Sequence, residues 1–386
     1  MNEPARLEWS EAGQPRSARW RSEAGAAPPR KVQVVDDTLT ADAAIRLASE
    51  GTGLLWRSDF HNARQLLQAM SRRMDRKPRK AAAVAPSPGD AFHLHRQAQG
   101  QRSRVLGKLL VELDAERRIA LARAPDLRVA CAEAWGAADG DGCVASLREL
   151  MGLVGAHEWR KKGVEIPALG EPPHNRIHPH YGVFSPVRGE YLDLVAKTPL
   201  PSTELAFDIG TGTGVLAAIL ARRGVNRVVA TDMDPRALAC AGENLAQLGV
   251  QGRVEVIQAD LFPAGLAPLV VCNPPWLPAR PSSPVEHAVY DEDSRMLRGF
   301  LSGLAAHLAP QGEGWLVLSD LAEHLGLRSR DELLAWFEAG GLKVLARHDV
   351  RPRHPKVADA SDPLHAARAK EVTSLWRLVA SGAAQE

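Results

Sequence analysis

The second half of the chain predicts an α/β fold with a doubly wound, mainly parallel sheet. From Leu205 onward, short apolar runs such as LAFDI, RVVAT and PLVVC alternate with helically spaced segments such as VLAAILARR and PRALACAGENLAQLG. Strands that alternate with helices of about ten to fifteen residues are typical of a parallel sheet. The last two runs, LKVLARHDV and EVTSLWRLVA, have no clear helix between them, which indicates an antiparallel pair at the edge.

The first half lacks this alternation, and we divide the chain into four segments. Residues 1–30 are rich in Arg, Ala, Pro, Glu and Ser and predict a disordered tail. Residues 31–165 show helical spacing, beginning with a helix that Thr40 can cap, and predict a mostly helical accessory domain for substrate recognition. We expect residues 166–200 to form a lid or linker segment and residues 201–386 to form the α/β domain.

Composition bounds the class and compartment of the protein. A chain of 386 residues with 45% hydrophobic residues can fill two cores, and a net charge of +2 neither demands nor excludes a nucleic-acid partner. The sequence has no apolar run long enough for a membrane span and no apolar signal region at its start. The four cysteines form no C-x-x-C pair, so we expect a reduced, cytoplasmic protein. The oligomeric state stays open, and a monomer is compatible with the sequence.

A glycine-rich loop, FDIGTGTGVLA, follows the first strand of the α/β region and opens a helix. Gly210, Gly212 and Gly214 let the backbone turn sharply and approach a ligand closely. A dinucleotide fingerprint would place its third glycine at position 215, which is Val215 here. The D-x-G-x-G-x-G form, with Asp208 ahead of it, therefore disfavours an NAD dehydrogenase.

Acidic residues follow at the next two strand ends. Asp232 ends the second strand, where a carboxylate can accept both ribose hydroxyls of a nucleoside, and Met233 can lie against an adenine face. Asp260 ends the third strand and can accept a hydrogen bond from an adenine amino group. Each aspartate taken alone could equally be a helix cap or a turn. Their placement on successive strand ends behind the glycine loop predicts a nucleoside site.

The fourth strand ends in Asn273-Pro274-Pro275-Trp276. Ligands of open α/β sheets lie beyond the carboxyl ends of the strands, so this stretch faces the same crevice. The Asn273 side-chain oxygen and the Pro274 carbonyl can accept the hydrogens of an NH₂ group, which helps its delocalised nitrogen to attack. Trp276 can stack on a flat amide or base. The alternative is a proline-rich strand end in which Trp276 is merely packed.

Together these motifs resemble those of the class I S-adenosylmethionine-dependent methyltransferases over about residues 181–380. The resemblance implies a Rossmann-like seven-stranded sheet with a terminal antiparallel hairpin, and S-adenosyl-L-methionine as cofactor. It also implies that the glycine loop lies under the methionine part of the cofactor. The residues expected at the cofactor are Asp208, Gly210, Thr211, Gly212, Gly214, Asp232, Met233, Asp260 and Leu261.

The Asn-Pro-Pro-Trp stretch is similar to the motif of methyltransferases that act on planar nitrogen, namely release-factor glutamine, adenine amino and ribosomal RNA guanine amino methyltransferases. Most of them carry Tyr or Phe at the last position, so Trp276 leaves the size of the target open. We expect Asn273, Pro274, Pro275 and Trp276 to be catalytic, with a protein glutamine amide as the leading target. A base amine of RNA or another nucleic acid is the alternative. A non-catalytic RNA-binding or assembly protein is a third possibility, which the intact motif disfavours.

A candidate lid, SPVRGEYLDLV, precedes the first strand of the sheet. In glutamine methyltransferases a P-x-x-x-x-E-x-L segment closes over cofactor and substrate, and Pro186 and Glu190 look similar. We expect Phe184 to face the substrate, and Arg188 and Glu190 to contact the cofactor, whose carboxylate Arg188 can meet. The alternative is an ordinary helix start with Glu190 in its first turn.

The nearby His174, His178 and His180 predict no metal site. Their spacing includes no cysteine, and direct methyl transfer needs no metal. A loop that contacts the cleft is the expected role.

Evidence for the substrate is limited to charge and location. Between Arg57 and Lys108 there are twelve Lys or Arg and three acidic residues, which indicates either a phosphate-contacting face or a solvated helical face. Tyr290, with its neighbours Asp291 and Arg295, is a candidate substrate contact on one rim of the cleft. The insertion 351–371 before the last strand is a candidate for the other rim.

Overall fold

The computed structural model describes residues 5–76, 87–281, 284–353 and 359–382, which form two compact units. The N-terminal unit comprises the described residues 5–76 and 93–158. The C-terminal unit comprises the described residues 87–92, 159–281, 284–353 and 359–382. The N-terminal unit thus ends at residue 158, whereas the sequence predicted that the accessory domain would end at residue 165.

The N-terminal unit is a mixed sheet with helices. Its strands are β1 (Arg6–Glu11), β2 (Gln14–Arg21), β3 (Lys31–Val35), β4 (Thr52–Trp56), β5 (Leu109–Leu113) and β6 (Cys143–Ser146). The helices of this part of the chain are α1 (Ala41–Ser49), α2 (Phe60–Arg76), α3 (Pro88–Leu106), α4 (Arg128–Trp135) and α5 (Leu147–Lys162). The six strands pair in the order β1-β2-β6-β5-β4-β3.

The prediction of a disordered tail is wrong, and the sheet of the N-terminal unit was not predicted. Residues 6–21 form an antiparallel hairpin instead of a disordered tail. Leu7 and Trp9 are buried between exposed neighbours. A strand with one buried face needs few large aliphatic residues. The low aliphatic content of residues 1–30 therefore did not reveal the alternation of buried and exposed positions. The sheet of this unit is also unpredicted: helices dominate residues 31–165 as expected, but the short apolar runs of β4 and β5 are buried strands. Periodicity alone does not separate such runs from buried helix. Thr40 does cap α1, since its side chain accepts a hydrogen bond from the Ala43 amide.

The C-terminal unit holds the remaining elements. Its strands are β7 (Val164–Glu165), β8 (Arg176–Ile177), β9 (Leu205–Ile209), β10 (Arg227–Asp232), β11 (Val254–Gln258), β12 (Ala267–Cys272), β13 (Leu308–Ser319), β14 (Leu342–Val350) and β15 (Thr373–Ala380). Its helices are α6 (Glu190–Lys197), α7 (Val215–Arg222), α8 (Pro235–Gln247), α9 (Arg295–His307), α10 (Leu321–His324), α11 (Arg330–Ala339) and α12 (His365–Arg368).

Strands β9 to β15 form a seven-stranded sheet in the order β11-β10-β9-β12-β13-β15-β14. The first five of these strands are parallel, and β15 runs antiparallel to both of its neighbours. The predicted α/β class and the antiparallel edge pair are therefore confirmed. The chain moves outward from β9 in one direction and from β12 in the other, which opens a crevice at the carboxyl ends of these two strands.

Apolar side chains alternate between the two faces of this sheet. Ala206 and Val271 pack on one face with α7, whereas Phe207 and Val270 pack on the other with α9. Helix α7 is buried from its first residue through Ala221, as expected for a helix that is apolar all round. The sheet is thus held rigid on both sides, and its carboxyl edge is a firm platform for side chains.

Residues 166–200 belong to the same unit, so they are not a linker. Helix α6 places Tyr191, Leu192 and Val195 in the core of this unit. None of the helices in the described part of the chain combines the length and hydropathy that a membrane span requires.

Candidate active site

The glycine loop joins β9 to α7 through three left-handed residues. The φ angles of Gly210, Gly212 and Gly214 are 70°, 55° and 79°. A Cβ atom at Gly210 would collide with the Met296 side chain, and one at Gly214 would lie 3.2 Å from Cα of Ala241. A Cβ atom at Gly212 would meet no atom within 4 Å. The loop therefore packs closely at its two ends and faces open space at its centre, where a ligand can approach the backbone.

Asp208 organises this loop from below. Its Oδ2 accepts hydrogen bonds from the Thr211 hydroxyl at 2.6 Å and from the Ala217 amide at 3.0 Å. Burial raises the pKa of the Asp208 carboxyl to about 6, although both hydrogen bonds favour the charged form. Asp208 is 1% exposed and Thr211 is 6% exposed, and both shape the glycine loop. Their contact with a cofactor stays a prediction.

Asp232 connects the end of β10 to the glycine loop. Its Oδ2 accepts from the Gly212 amide at 3.0 Å, and its Oδ1 accepts from the Asp234 amide at 3.0 Å. Partial burial raises the pKa of this carboxyl, and the backbone donors act in the opposite direction. A carboxylate has about four lone-pair positions, so Asp232 keeps acceptor capacity for a ligand such as a ribose diol.

Three further predicted residues lie at the ends of β10 and β11. Met233 is 51% exposed, and its sulfur is 3.9 Å from Nη1 of Arg295. The other Arg295 nitrogen, Nη2, lies 2.9 Å from Oδ2 of Asp260. Leu261 adopts a φ of 74°, and its carbonyl accepts a hydrogen bond from the Thr231 hydroxyl at 2.6 Å. Arg295 thus bridges Met233 and Asp260, a link that the sequence did not predict because this arginine lies on a distant helix.

The Asn-Pro-Pro-Trp stretch begins directly after β12. The Trp276 indole donates a hydrogen bond from Nε1 to Oδ1 of Asn273 at 2.9 Å. Its ring meets the Tyr191 ring edge-on, with centroids 6.4 Å apart. Pro274 is buried, and Pro275 is half-buried. The tryptophan is therefore hydrogen-bonded to the asparagine of its own motif, and a second lone pair of Oδ1 can accept a hydrogen bond from an N–H group of a ligand.

The predicted lid residues lie close to this stretch. The Arg188 guanidinium carbon is 5.9 Å from the centre of the Trp276 ring, and Nη1 is 3.4 Å from Oε1 of Glu371. Phe184 packs against the same core cluster as Trp276. Oε1 of Glu190 accepts from the Arg353 amide at 2.7 Å.

Glu371, which the sequence analysis did not single out, is the partner of Arg188. It is the last residue of the insertion 351–371, of which residues 354–358 lie outside the described residues. The guanidinium of Arg188 thus contacts a carboxylate of the protein itself, and its contact with a cofactor carboxylate stays a prediction. Only the position of Glu371, next to β15, could have drawn attention to it.

Tyr290 and the histidines have other partners. The Tyr290 ring packs at 6.4 Å from the Phe92 ring, so its contact with a substrate stays a prediction. His178 bonds to the Arg160 carbonyl and His180 to Glu243, while His174 is exposed. Among the described residues, no group of three or more His, Cys, Asp or Glu side chains is arranged to hold a metal ion.

The strand order, the glycine loop and the Asp232 carboxylate together define a class I methyltransferase fold. Residues 175–335 match the family described as methyltransferase small domain. The chain is 30% identical over 176 residues to the tRNA1(Val) (adenine(37)-N6)-methyltransferase of Shewanella loihica, covering 43% of this chain and 70% of that protein. The chain therefore belongs to the methyltransferase small domain family.

Two other relatives match shorter segments at higher identity. The release factor glutamine methyltransferase of Cereibacter sphaeroides is 45% identical over 75 residues, which are 19% of this chain and 27% of that protein. The ribosomal protein L11 methyltransferase of Pelotomaculum thermopropionicum is 49% identical over 69 residues, which are 17% of this chain and 22% of that protein. The chain thus spans less than a third of the length of these two relatives. A solved L11 methylase structure from Lactobacillus delbrueckii covers 54% of this chain and 88% of its own, with 16% identity and a TM-score of 0.37.

Proposed function

We propose that the protein is an S-adenosyl-L-methionine-dependent N-methyltransferase that acts on a planar NH₂ group, with a protein glutamine amide as the leading target. The observation that carries this proposal is the Asn-Pro-Pro-Trp stretch at the end of β12, beside the glycine loop at the end of β9. The two parts of a methyl-transfer site, for donor and acceptor, thus follow adjacent strands.

The glycine loop and Asp232 fit the proposed cofactor. The open space above Gly212 allows the methionine part of the cofactor to lie on the loop, and the free lone pairs of Asp232 suit the ribose hydroxyls. Met233 offers an exposed apolar surface, and Asp260 a carboxylate, for the adenine. When bound, this cofactor supplies an electrophilic sulfonium methyl group.

The acceptor nitrogen is positioned by Asn273 and Pro274 in this proposal. The remaining lone pair of Asn273 Oδ1 and the Pro274 carbonyl accept the two NH₂ hydrogens, which localises the nitrogen lone pair for attack. Catalysis then comes mainly from the alignment of nitrogen and methyl group. Because Trp276 holds Asn273, the acceptor meets an oxygen whose orientation is already set.

A glutamine amide is the leading target because it is small, planar and bears an NH₂ group. Three relatives named release factor glutamine methyltransferase support this target: the protein of Cereibacter sphaeroides, and those of Moorella thermoacetica and Caulobacter vibrioides. The match to the tRNA adenine-N6-methyltransferase supports an RNA base amine as the second candidate.

The test is methyl transfer from radiolabelled S-adenosylmethionine into a lysate of a strain that lacks the gene, followed by separation of protein from RNA. We expect label in protein, at N-methylglutamine after digestion. Label in RNA as N6-methyladenine would favour the second candidate. Absence of label in both fractions, with labelling intact in a parallel reaction with a known methyltransferase, would contradict the proposal.

We also propose a cytoplasmic location. All four cysteines are free and buried, which suits a reducing compartment and supports this proposal. Fractionation of cells that express the full chain at native level would test it, with the protein expected in the cytoplasmic fraction.

A further inference from the structure

Four side chains form a continuous chain of contacts from the insertion before β15 to the end of β12. Glu371 contacts Arg188 at 3.4 Å, and Arg188 lies over the Trp276 ring at 5.9 Å. Trp276 then donates to Asn273 at 2.9 Å. The first two contacts join three separate segments of the C-terminal unit, and the third lies within the Asn-Pro-Pro-Trp stretch.

Glu371 is the buried anchor of these contacts. Its side chain is fully buried, and Oε1 accepts from the Ser319 hydroxyl at 2.8 Å in addition to its contact with Arg188. Oε2 has no hydrogen-bond partner among the described residues. A buried carboxylate is unfavourable without a cation, and Arg188 is the cation that contacts Glu371.

Arg188 in turn restricts Trp276. A guanidinium over an indole face is attracted by the negative face of the ring, and the planar group limits rotation of the ring. Tyr191 limits the ring from another side through its edge-on contact. With both neighbours in place, the indole N–H of Trp276 reaches Oδ1 of Asn273.

We propose that Glu371 and Arg188 are positioning residues that hold Trp276 against Asn273, so that the Asn273 oxygen is set before the methyl acceptor arrives. This inference rests on the proposed function and deepens it, because it assigns a role to the tryptophan of the motif. Phe at position 276 would keep a flat ring but has no N–H to donate. The indole N–H is therefore the feature that distinguishes Trp276 from a phenylalanine at this position, whereas either ring could stack on a flat acceptor.

The first test observes the Trp276 indole in the free protein. In full-length protein with nitrogen-15-labelled tryptophan, the loss of one of the nine indole signals in Trp276→Phe identifies the signal of Trp276. Its proton is expected to exchange slowly with solvent. Asn273→Ala, Arg188→Ala and Glu371→Gln are each expected to shift this signal and to speed its exchange by about tenfold or more.

A matched control is available in the same unit. Glu323 contacts Arg330 at 2.8 Å, and Arg330 lies over the Trp376 ring at 5.3 Å. The same order of carboxylate, guanidinium and indole thus occurs away from the Asn-Pro-Pro-Trp stretch. Glu323→Gln is expected to leave the Trp276 signal unchanged. An unchanged Trp276 signal in both Arg188→Ala and Glu371→Gln would overturn the inference, whether or not the protein transfers methyl groups.

The second test measures methyl transfer to the substrate fraction that the wild type labels. Glu371→Gln is expected to lower kcat by about tenfold and to leave the cofactor Kd within about twofold. The double variant Arg188→Ala/Glu371→Gln is expected to be no slower than the slower single variant, because both act through the same ring. Multiplied losses would overturn the inference. A wild type that transfers no methyl group would refute the proposed function, and the indole signal would then decide the inference alone.

Discussion

In both units a parallel strand leads to an aspartate: Asp36 follows β3 in the N-terminal unit, and Asp232 ends β10 in the C-terminal unit. The Asp36 carboxylate is hydrogen-bonded within its own turn, since Oδ1 accepts from the Thr38 amide at 3.0 Å and from the Thr38 hydroxyl at 2.7 Å. Asp232 makes the matching local contact to the Asp234 amide and, in addition, accepts the amide of Gly212 from a different strand connection. That long-range contact ties the carboxylate to the left-handed glycine loop.

The difference between the two aspartates concerns the loop beside them more than the carboxylate itself. The connection from β3 to α1 contains no glycine, and its polar side chains are used in turns and in the cap at Thr40. The connection from β9 to α7 uses three glycines to bring backbone N–H groups to the crevice. We therefore predict that Asp232, with this loop beside it, contributes to a ligand site and that Asp36 does not.

The largest expected effect is that of Asn273→Ala on methyl transfer. Removal of one preorganised acceptor lowers kcat by about 100-fold or more, because the NH₂ group then keeps its delocalised geometry. Cofactor affinity, measured by calorimetry, is expected to stay within about twofold, since the cofactor lies on the glycine loop. Retained turnover would remove Asn273 from the catalytic site.

The aspartate pair gives the next largest effect. Asp232→Ala is expected to weaken S-adenosylmethionine binding by about 100-fold, because two hydrogen bonds to a charged group are lost. Asp36→Ala is the matched control and is expected to leave the affinity unchanged. Equal effects of the two substitutions in calorimetry would show that the comparison between the units is wrong.

A pH-dependent effect on stability is expected at Asp208. Burial raises the pKa of this carboxyl from 3.8 to about 6, so the folded state keeps a proton that the unfolded state has released. This contribution to the free energy of unfolding is present below about pH 4 and is lost as the pH rises through about 6. Asp208→Asn has no such proton, so the advantage of the wild type shrinks by about 1–3 kcal/mol between pH 4.5 and pH 7.5.

Urea unfolding of both proteins across this pH range checks the expectation for Asp208. Asp36→Asn provides the contrast, because the hydrogen bonds from Thr38 hold the pKa of Asp36 below its ordinary value. Its stability difference from the wild type is therefore expected to stay constant over the same window. A constant difference for Asp208→Asn as well would contradict the role of burial at that residue.

The smallest effect is expected from basic residues of the N-terminal unit. Several arginines of the basic segment are paired within that unit, such as Arg57 with Glu11 and Arg102 with Asp75. The triple variant Arg64→Gln/Arg72→Gln/Arg76→Gln removes exposed charges of α2 and is expected to change transfer to a protein substrate by less than about twofold. A salt-dependent loss of RNA binding in a filter-binding assay would instead favour an RNA substrate.

The sequence predicted the sheet of the C-terminal unit well, because its motifs lie at strand ends that adjacent strands bring together. Gly212 and Asp232 illustrate this, since a parallel pair places their two loops side by side. The hairpin at residues 6–21 was missed because its apolar residues occupy one face only. The burial of Asp208 and its hydrogen bond from the Ala217 amide could not be read from its place in the motif, because both depend on how α7 packs.

The contacts of Trp276 could not be predicted for a different reason. Its hydrogen bond to Asn273 depends on the backbone path between the two residues, and its neighbour Arg188 contacts Glu371, which lies 183 residues further along the chain. A local pattern carries no information about such a distant partner. The sequence therefore identified the parts of the candidate site, whereas the structure identified what holds them in place.

The most direct test of the central claim is calorimetric titration of S-adenosylmethionine into the full-length protein. We predict saturable binding with one site per chain, competition by S-adenosylhomocysteine and no competition by NADH. One site per chain is expected because the glycine loop of the C-terminal unit is the sole loop of its kind among the described residues. Absence of binding, or binding of NADH in place of S-adenosylmethionine, would contradict the account.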